Sequence, residues 1–483
     1  MGTSVAADSL LSPRQDRDLP ARLARSSAAN RGVHTMDEFN AWYLRQKRIH
    51  RVETQRTPFA ALDGWGFAKD TGNLGHDGGG RYSIEGMRIL AWQGPICEWY
   101  QPVVNQHGGA LHGLLVKEHQ GILHCLVRAT VEPGHPEALQ LFPTVAATRT
   151  EYARAHRSSP ARYLDHFAGP GRGRVIADVS QSAAGQWCYR MSQRNMIVEV
   201  TGEVPSHDGF VWLTFGQLYA LLHRGKVLGA GLRSLLALLP PGEGVSDGAF
   251  HKALRASGDA TAGALRPDSA VAGWLTEQRS YREVEVMPVP LNQVAGWHAT
   301  GMEIARADGR YFSVIGVAGG GEHVQWSQPM IELRGVGLAA LVVKEFDGVL
   351  HVLARASMES GLRDSVEIGP TVHCQPKEFE RDTGVPRPFL LDYVQGVEES
   401  QVRYNVVHTG DGSVFFHADC RYLIVEADDK LPPELPPEFA WIALGQLADL
   451  IGQGHRVSQP ARMLYACLNS LHQAPAASAE EGP

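Results

Sequence analysis

The stretch "LLVKEHQGILHCLVRATVEPG" runs from Leu114 to Gly134, and "LVVKEFDGVLHVLARASMESG" runs from Leu341 to Gly361. Each reads as an apolar hairpin turning at "HQG" or "FDG", where glycine permits positive φ. Lys117/Lys344, His124/His351, Arg128/Arg355 and Glu132/Glu359 recur at a constant offset of 227 (344 minus 117). The same offset carries "EWYQP" (Glu98–Pro102) onto "QWSQP" (Gln325–Pro329), "PTV" (Pro143–Val145) onto Pro370–Val372, and Gly185 onto Gly412. About 100 residues therefore align without an insertion, a period far too long for a solenoid, so this is a duplicated domain.

Slightly shifted offsets extend the match. Trp42 and Trp65 are spaced like Trp274 and Trp297, and "GQL" recurs at Gly216–Leu218 and Gly445–Leu447. The division expected is a disordered tail at 1–35, a first repeat at 36–240, a linker at 241–270, a second repeat at 271–471 and a disordered tail at 472–483. Ser, Ala, Arg, Gly and Pro dominate the tails and linker, and Met36 is a candidate natural start. Within each repeat an amphipathic helix ("MDEFNAWYLRQKR" or "AVAGWLTEQRSY") precedes strands, the hairpin, further strands and a closing helix pair. This predicts an α+β fold of two mixed-sheet domains packed pseudosymmetrically.

Composition narrows the function. The chain has 483 residues and a formal net charge of −7, which argues against a general nucleic-acid binder. No apolar run approaches a membrane span, and no signal-peptide core opens the chain. Six scattered cysteines without a C-x-x-C pair suit reduced thiols in a cytoplasm. Phosphate-binding, dinucleotide-binding and zinc-protease motifs are missing, so neither a cofactor nor a metal is expected.

Alternation along the hairpin puts His124, Arg128 and Thr130 on one face and Cys125, Val127 and Ala129 on the other. A His and an Arg on an otherwise apolar face need partners. They form either a half-exposed face with an internal Arg–Glu pair or a pocket wall binding an anion. In the Trp-x-Gln-Pro element, Trp99 and Trp326 could stack on a planar base while Gln101 and Gln328 read its edge, or each Trp could close a core strand.

From Trp42 to Leu471 the sequence resembles the NDP-hexose 2,3-dehydratases of deoxysugar biosynthesis. The likeness is carried by "GRYFSVIGV", "WSQP", "GVLHVLARA", "EPG" (Glu132–Gly134), "PTVAATRTEY" (Pro143–Tyr152), "QRNMIVEV" and the ending at Arg462. It implies two Nudix-like domains per subunit, a homodimer, a dTDP-type nucleotide-sugar substrate, and no cofactor. It also implies loss of water across C2 and C3 of a 4-keto-6-deoxyhexose, with Glu132 or His124 as base and Tyr152 as acid. Substrate contacts are expected at Trp99, Gln101, Arg128, Thr144, Arg149, Arg310, Trp326, Gln328, Arg355 and Thr371. The first repeat keeps Glu-Pro-Gly where the second reads Glu-Ser-Gly, which puts the active pocket in the first repeat and makes the second a structural copy. The alternatives are a relative acting on another substrate and a non-catalytic nucleotide-sugar-binding subunit.

Overall fold

The computed structural model describes residues 18–472, apart from 80–81, 93–95, 107, 137–138, 149–161, 169–172, 243–247, 260–262, 322–323 and 381–384. Ala110–His119 and Ile122–Val131 form the first hairpin, Gly337–Phe346 and Val349–Met358 the second. Both turns place two residues at positive φ, Gln120 at 50° with Gly121 at 78°, and Asp347 at 49° with Gly348 at 80°. That tight turn matches the natural twist of the flanking strands. It fixes a register in which Lys117 faces His124 and Lys344 faces His351.

Each hairpin is the centre of a seven-stranded mixed sheet. Ser192–Glu199 runs parallel to the first hairpin's leading strand, as Asp419–Glu426 does to the second's. One face of the first sheet, with Leu123, Cys125 and Val127, packs on the helices Phe215–Leu222 and Ala230–Leu236. That core is continuous with Leu350, Val352 and the helix Gln459–Ser470 of the second repeat. The opposite faces have separate, smaller cores, around Phe167 in the first repeat and Leu391 in the second. The architecture is α+β, with mixed sheets and two repeated halves.

The halves also exchange strands. Glu53–Arg56 precedes the first small sheet but pairs with Val317–Gly320 of the second. Val284–Val289 pairs in turn with Gly86–Ala91 of the first. Trp65 Nε1 donates to the Ser327 carbonyl at 3.1 Å, and Trp297 Nε1 donates to the Tyr100 carbonyl at 2.8 Å. Each small sheet is thus completed by the other repeat.

The expected tail and linker need correction, because each holds a folded segment. Residues 19–28 of the expected tail form a helix, and Ala249–Ala256 of the expected linker form its counterpart. Leu23 and Leu254 are buried in the shared core. Ser26 donates to the Leu123 carbonyl and Ser257 donates to the Leu350 carbonyl, at matching points of the two hairpins. Few large apolar residues, Leu19 and Leu23 in one helix and Phe250 and Leu254 in the other, stand among Ala, Ser and Arg, which imitates linker composition. An equivalent helix therefore precedes each repeat. Residues 1–17 and 473–483 lie outside the described residues. Leu254→Ala is expected to cost about 2–5 kcal/mol, the usual range for emptying a buried leucine site. Chemical denaturation would measure it; a loss under about 0.5 kcal/mol would restore the linker reading.

Candidate active site

A cleft of about 1100 Å³ opens along the seam, on the second repeat's sheet. Its floor carries Arg355 and Ser357 from the hairpin strand, Glu359 from the following loop, and His373 from the short strand Val372–Cys374. Arg306, Arg310 and Tyr311 come from the second small sheet and its turn. Glu378 and Phe379 stand on a short 3-10 turn, Pro376–Phe379. The first repeat supplies Glu98–Gln101, Gln186 and Trp187. At the mouth, Tyr281 and Ile96 are exposed, by 68% and 40%, as large apolar surfaces on a cleft rim.

The floor and walls are rich in charge with few internal partners. Arg310 and Arg355 each bury an Nε that has no hydrogen-bond partner among the described residues. Arg310 lies over the Tyr311 ring at 5.0 Å and Arg355 over Phe439 at 5.8 Å, which leaves their planar forks directed by stacking. Burial pushes the Glu378 carboxyl up to about 7, with Arg310 pulling the other way. Burial and the neighbouring Glu367 push Glu359 up to about 8, against a hydrogen bond from the Gly185 N–H and the charge of Arg462. His373 is held down to about 4 by burial and by Arg355, so it is a neutral imidazole at physiological pH. The arrangement offers guanidiniums for an anion, a carboxylate that can accept a proton near neutrality, and a carboxylic acid that can give one.

Of the substrate-contact positions expected from sequence, Trp99, Gln101, Arg310 and Arg355 meet in this cleft. Gln101 is not free to read a base edge. Its Nε2 donates to the Gln186 carbonyl at 2.7 Å and its Oε1 accepts from Trp99 Nε1 at 3.1 Å. Gln328 repeats the first bond to the Ser413 carbonyl at 2.8 Å, while Trp326 packs on the buried Ile315, Val317 and Met330.

Thr144 and Thr371 are core staples. Each hydroxyl donates to a hairpin carbonyl, Leu126 or Leu353, and accepts an N–H from the partner strand, Leu115 at 2.8 Å or Val342 at 2.9 Å. His124 is likewise committed: Nδ1 faces the Ile122 carbonyl at 3.0 Å, so Nε2 is the acceptor, and it takes the Val33 N–H at 3.1 Å. His351 holds Leu265 in the same way. These histidines fasten the N-terminal segment of each repeat, which accounts for their matching places.

Glu132 is buried, and its Oε2 accepts the Gly412 N–H at 2.7 Å across the seam. Arg128 lies close enough for its charge to act on it. Arg149 and Tyr152 fall outside the described residues. The cleft also brings in Arg306, His373 and Glu378, which the sequence reading did not single out, and Glu359, which it gave no role. A signal existed for two of them: Arg306 opens "RADGRY", and His373 directly follows the second "PTV".

The chain matches the family described as NDP-hexose 2,3-dehydratase over residues 36–239 and 268–468, one segment per repeat. It belongs to that family. Relatives bearing the name dTDP-4-dehydro-6-deoxy-alpha-D-glucopyranose 2,3-dehydratase are similar over nearly their whole length. That of Amycolatopsis orientalis is 39% identical over 472 residues, covering 96% of this chain and 96% of the relative. That of Saccharopolyspora spinosa is 38% identical over 482 residues, covering 98% and 99%. That of Streptomyces violaceoruber is 37% identical over 442 residues, covering 90% and 97%. Membership of this family makes the chain a hydro-lyase of deoxysugar biosynthesis. Among the described residues no helix is long and apolar enough to cross a membrane.

Because both ring nitrogens of His124 serve the backbone, His124→Ala is expected to act on stability alone. Stranding the Val33 N–H costs about 1–3 kcal/mol. Thermal unfolding should register that loss, while turnover per folded enzyme stays at the wild-type level; a rate loss beyond the folded fraction would return His124 to the chemistry.

Proposed function

We propose that this dehydratase acts on dTDP-4-keto-6-deoxyglucose, held in the seam cleft of the second repeat. The observation that carries this reading is the meeting of two under-partnered guanidiniums, Arg310 and Arg355, with carboxyls tuned to either side of neutrality, Glu378 and Glu359. The forks suit a diphosphate, which accepts paired hydrogen bonds as a carboxylate does. Tyr281 and Trp99 offer faces for the base.

In this reading Glu378 removes the C3 proton, acidified by the adjacent C4 ketone, and the electron pair forms the C3–C4 enolate. Collapse of the enolate expels the C2 hydroxyl, which leaves as water with the proton of Glu359. The resulting enol gains a proton at C2 and loses one from its C3 oxygen, giving the 3,4-diketo-2,6-dideoxy sugar. Atoms balance as loss of one water, and no electrons enter or leave. His373, neutral and beside Arg355, is placed to donate to oxygen.

Three finer points belong to the same reading. The domains are Nudix-like, supported by the resemblance and by a mixed sheet that carries the cleft. The protein is a homodimer, supported by large apolar side chains left exposed on the outer surface, Leu44 by 55% and Ile49 by 70%. It works in the cytoplasm, supported by six free thiols.

Turnover of dTDP-4-keto-6-deoxyglucose, followed by NMR as loss of the C3 proton, tests the assignment. Glu359→Gln should lower kcat by on the order of 100- to 10,000-fold with dTDP affinity retained. Glu132→Gln should leave the folded enzyme active. The reverse pattern would move the chemistry to the first repeat, and an inactive wild type would remove the substrate assignment.

The pH profile follows from the same two groups. Below about 7 the rate should fall as Glu378 takes up a proton, and above about 8 it should fall as Glu359 loses one. A bell with its maximum between those values is expected; a profile flat from pH 6 to 9 would exclude this acid–base pair.

A further inference from the structure

Beneath Glu359 lies a second carboxyl. Glu367, on the strand Val366–Gly369, pairs across the ladder with Ser357, so its side chain leaves the sheet on the face that carries Ser357. Glu367 is fully buried. Its Oε1 accepts from the Ser182 hydroxyl of the first repeat, and its Oε2 has no hydrogen-bond partner among the described residues.

Arg462, on the helix Gln459–Ser470, is also fully buried. Its NH1 donates to the Val457 carbonyl at 2.6 Å and its NH2 donates to the Ser182 carbonyl at 2.7 Å. Its Nε has no hydrogen-bond partner among the described residues. The charge of this one guanidinium acts on both carboxyls.

We propose that Glu367 is a positioning residue for Glu359: by taking the charge of Arg462 and the hydroxyl of Ser182, it leaves Glu359 as the carboxyl that keeps its proton at the cleft floor. Two buried carboxylates beside one cation cannot both ionise cheaply, and the better-supported one ionises first. Glu367 has the better support. Ser182 donates to it, and Arg279 adds a second positive charge, partly spent on Asp364 at 3.1 Å. His455 reaches the same Ser182 hydroxyl from the far side at 2.9 Å. Around Glu359 the neighbours are Arg462, the Gly185 N–H and the Cys188 thiol, which burial keeps protonated.

The first repeat does not repeat the device. Gln140 stands at the place of Glu367, donating to the Lys226 carbonyl at 2.9 Å. The acid beside Glu132 is Asp411, from the opposite half of the chain. Glu132 and the fully buried Arg233, whose NH2 donates to the Thr409 carbonyl, repeat Glu359 and Arg462, so Glu367 is the member of the set that departs from the duplication, on the side of the cleft.

The inference rests on Glu359 being the acid of the reaction, and two readouts separate the two claims. One is the alkaline limb of the kcat–pH profile; the other is a carbon-13 NMR titration of the Glu359 carboxyl, assigned by its loss in Glu359→Gln. In Glu367→Gln the charge of Arg462 passes to Glu359. Both the limb and the titration should then move to lower pH by on the order of one unit, with dTDP affinity unchanged. Ser182→Ala weakens the ionised form of Glu367 and should move both readouts the same way by less; it carries the test where Glu367→Gln does not fold. An unmoved carboxyl titration in a folded variant overturns the positioning role. A shifted titration in an enzyme whose Glu359→Gln variant still turns over upholds it and removes the assignment of Glu359 as acid.

Discussion

Glu53–Arg56 is bonded to the second repeat and Val284–Val289 to the first, so neither small sheet has its full set of strands without the other half of the chain. An edge left open in this way would expose a row of unpaired backbone groups. The exchange is locked by a second reciprocal contact, at the loops that follow the hairpins. Glu132 accepts the Gly412 N–H, and Glu359 accepts the Gly185 N–H. The loop glycines close the gap: Gly134 N–H donates to the Gly412 carbonyl and Gly361 N–H to the Gly185 carbonyl, both at 2.7 Å. A side chain at Gly134 would overlap the Phe415 carbonyl, and one at Gly361 would overlap the carbonyls of Cys188 and Gly185. The glycine that ends each "EPG" or "ESG" is there for this close approach.

That seam also makes the cleft. A pocket on the second repeat's sheet alone would be open on the side now closed by Glu98–Gln101 and Gln186 of the first. The Gln101–Gln186 bond, mirrored by Gln328–Ser413, holds that wall to the rest of its own repeat. The Trp-x-Gln-Pro element thus contributes to the site chiefly as framework, and Trp99 is the part of it that stays available to a ligand.

The duplication, the hairpins with their register, and the α+β class were legible because alternation and a gap-free offset are properties of the chain itself. The helices that precede the two repeats were not. Leu23 and Leu254 are buried anchors in segments otherwise rich in small and charged residues, and the bonds of Ser26 and Ser257 to the hairpin carbonyls show that the segments are folded. Residue identity also hid role. His124, Thr144 and Thr371 carry polar groups at matching motif positions, yet each is consumed by backbone, and polar atoms so deep in a core are as often staples as catalysts. Arg310 and Arg355, which line the cleft, stood out in the sequence because arginine on a sheet face or beside a turn is conspicuous. Glu378 and His373, which line it too, did not stand out, since their setting comes from what folds over them.

The two halves share a fold, yet the seam buries different charges on its two sides. A carboxyl in water would titrate far below neutrality and could not give a proton to a leaving hydroxyl at physiological pH. Glu359 can, since the contact with Gly185 that locks the repeats together also removes it from solvent beside Glu367 and Arg462. The same residue therefore closes the interface and sets the acidity at the cleft floor. Divergence at His373 (Ala146 in the first copy) and Glu367 (Gln140) then changes the groups beside the cleft on one side while the clasp of both sides is kept. A duplicated fold can in this way retain its symmetry where the backbone needs it and lose it along the cleft.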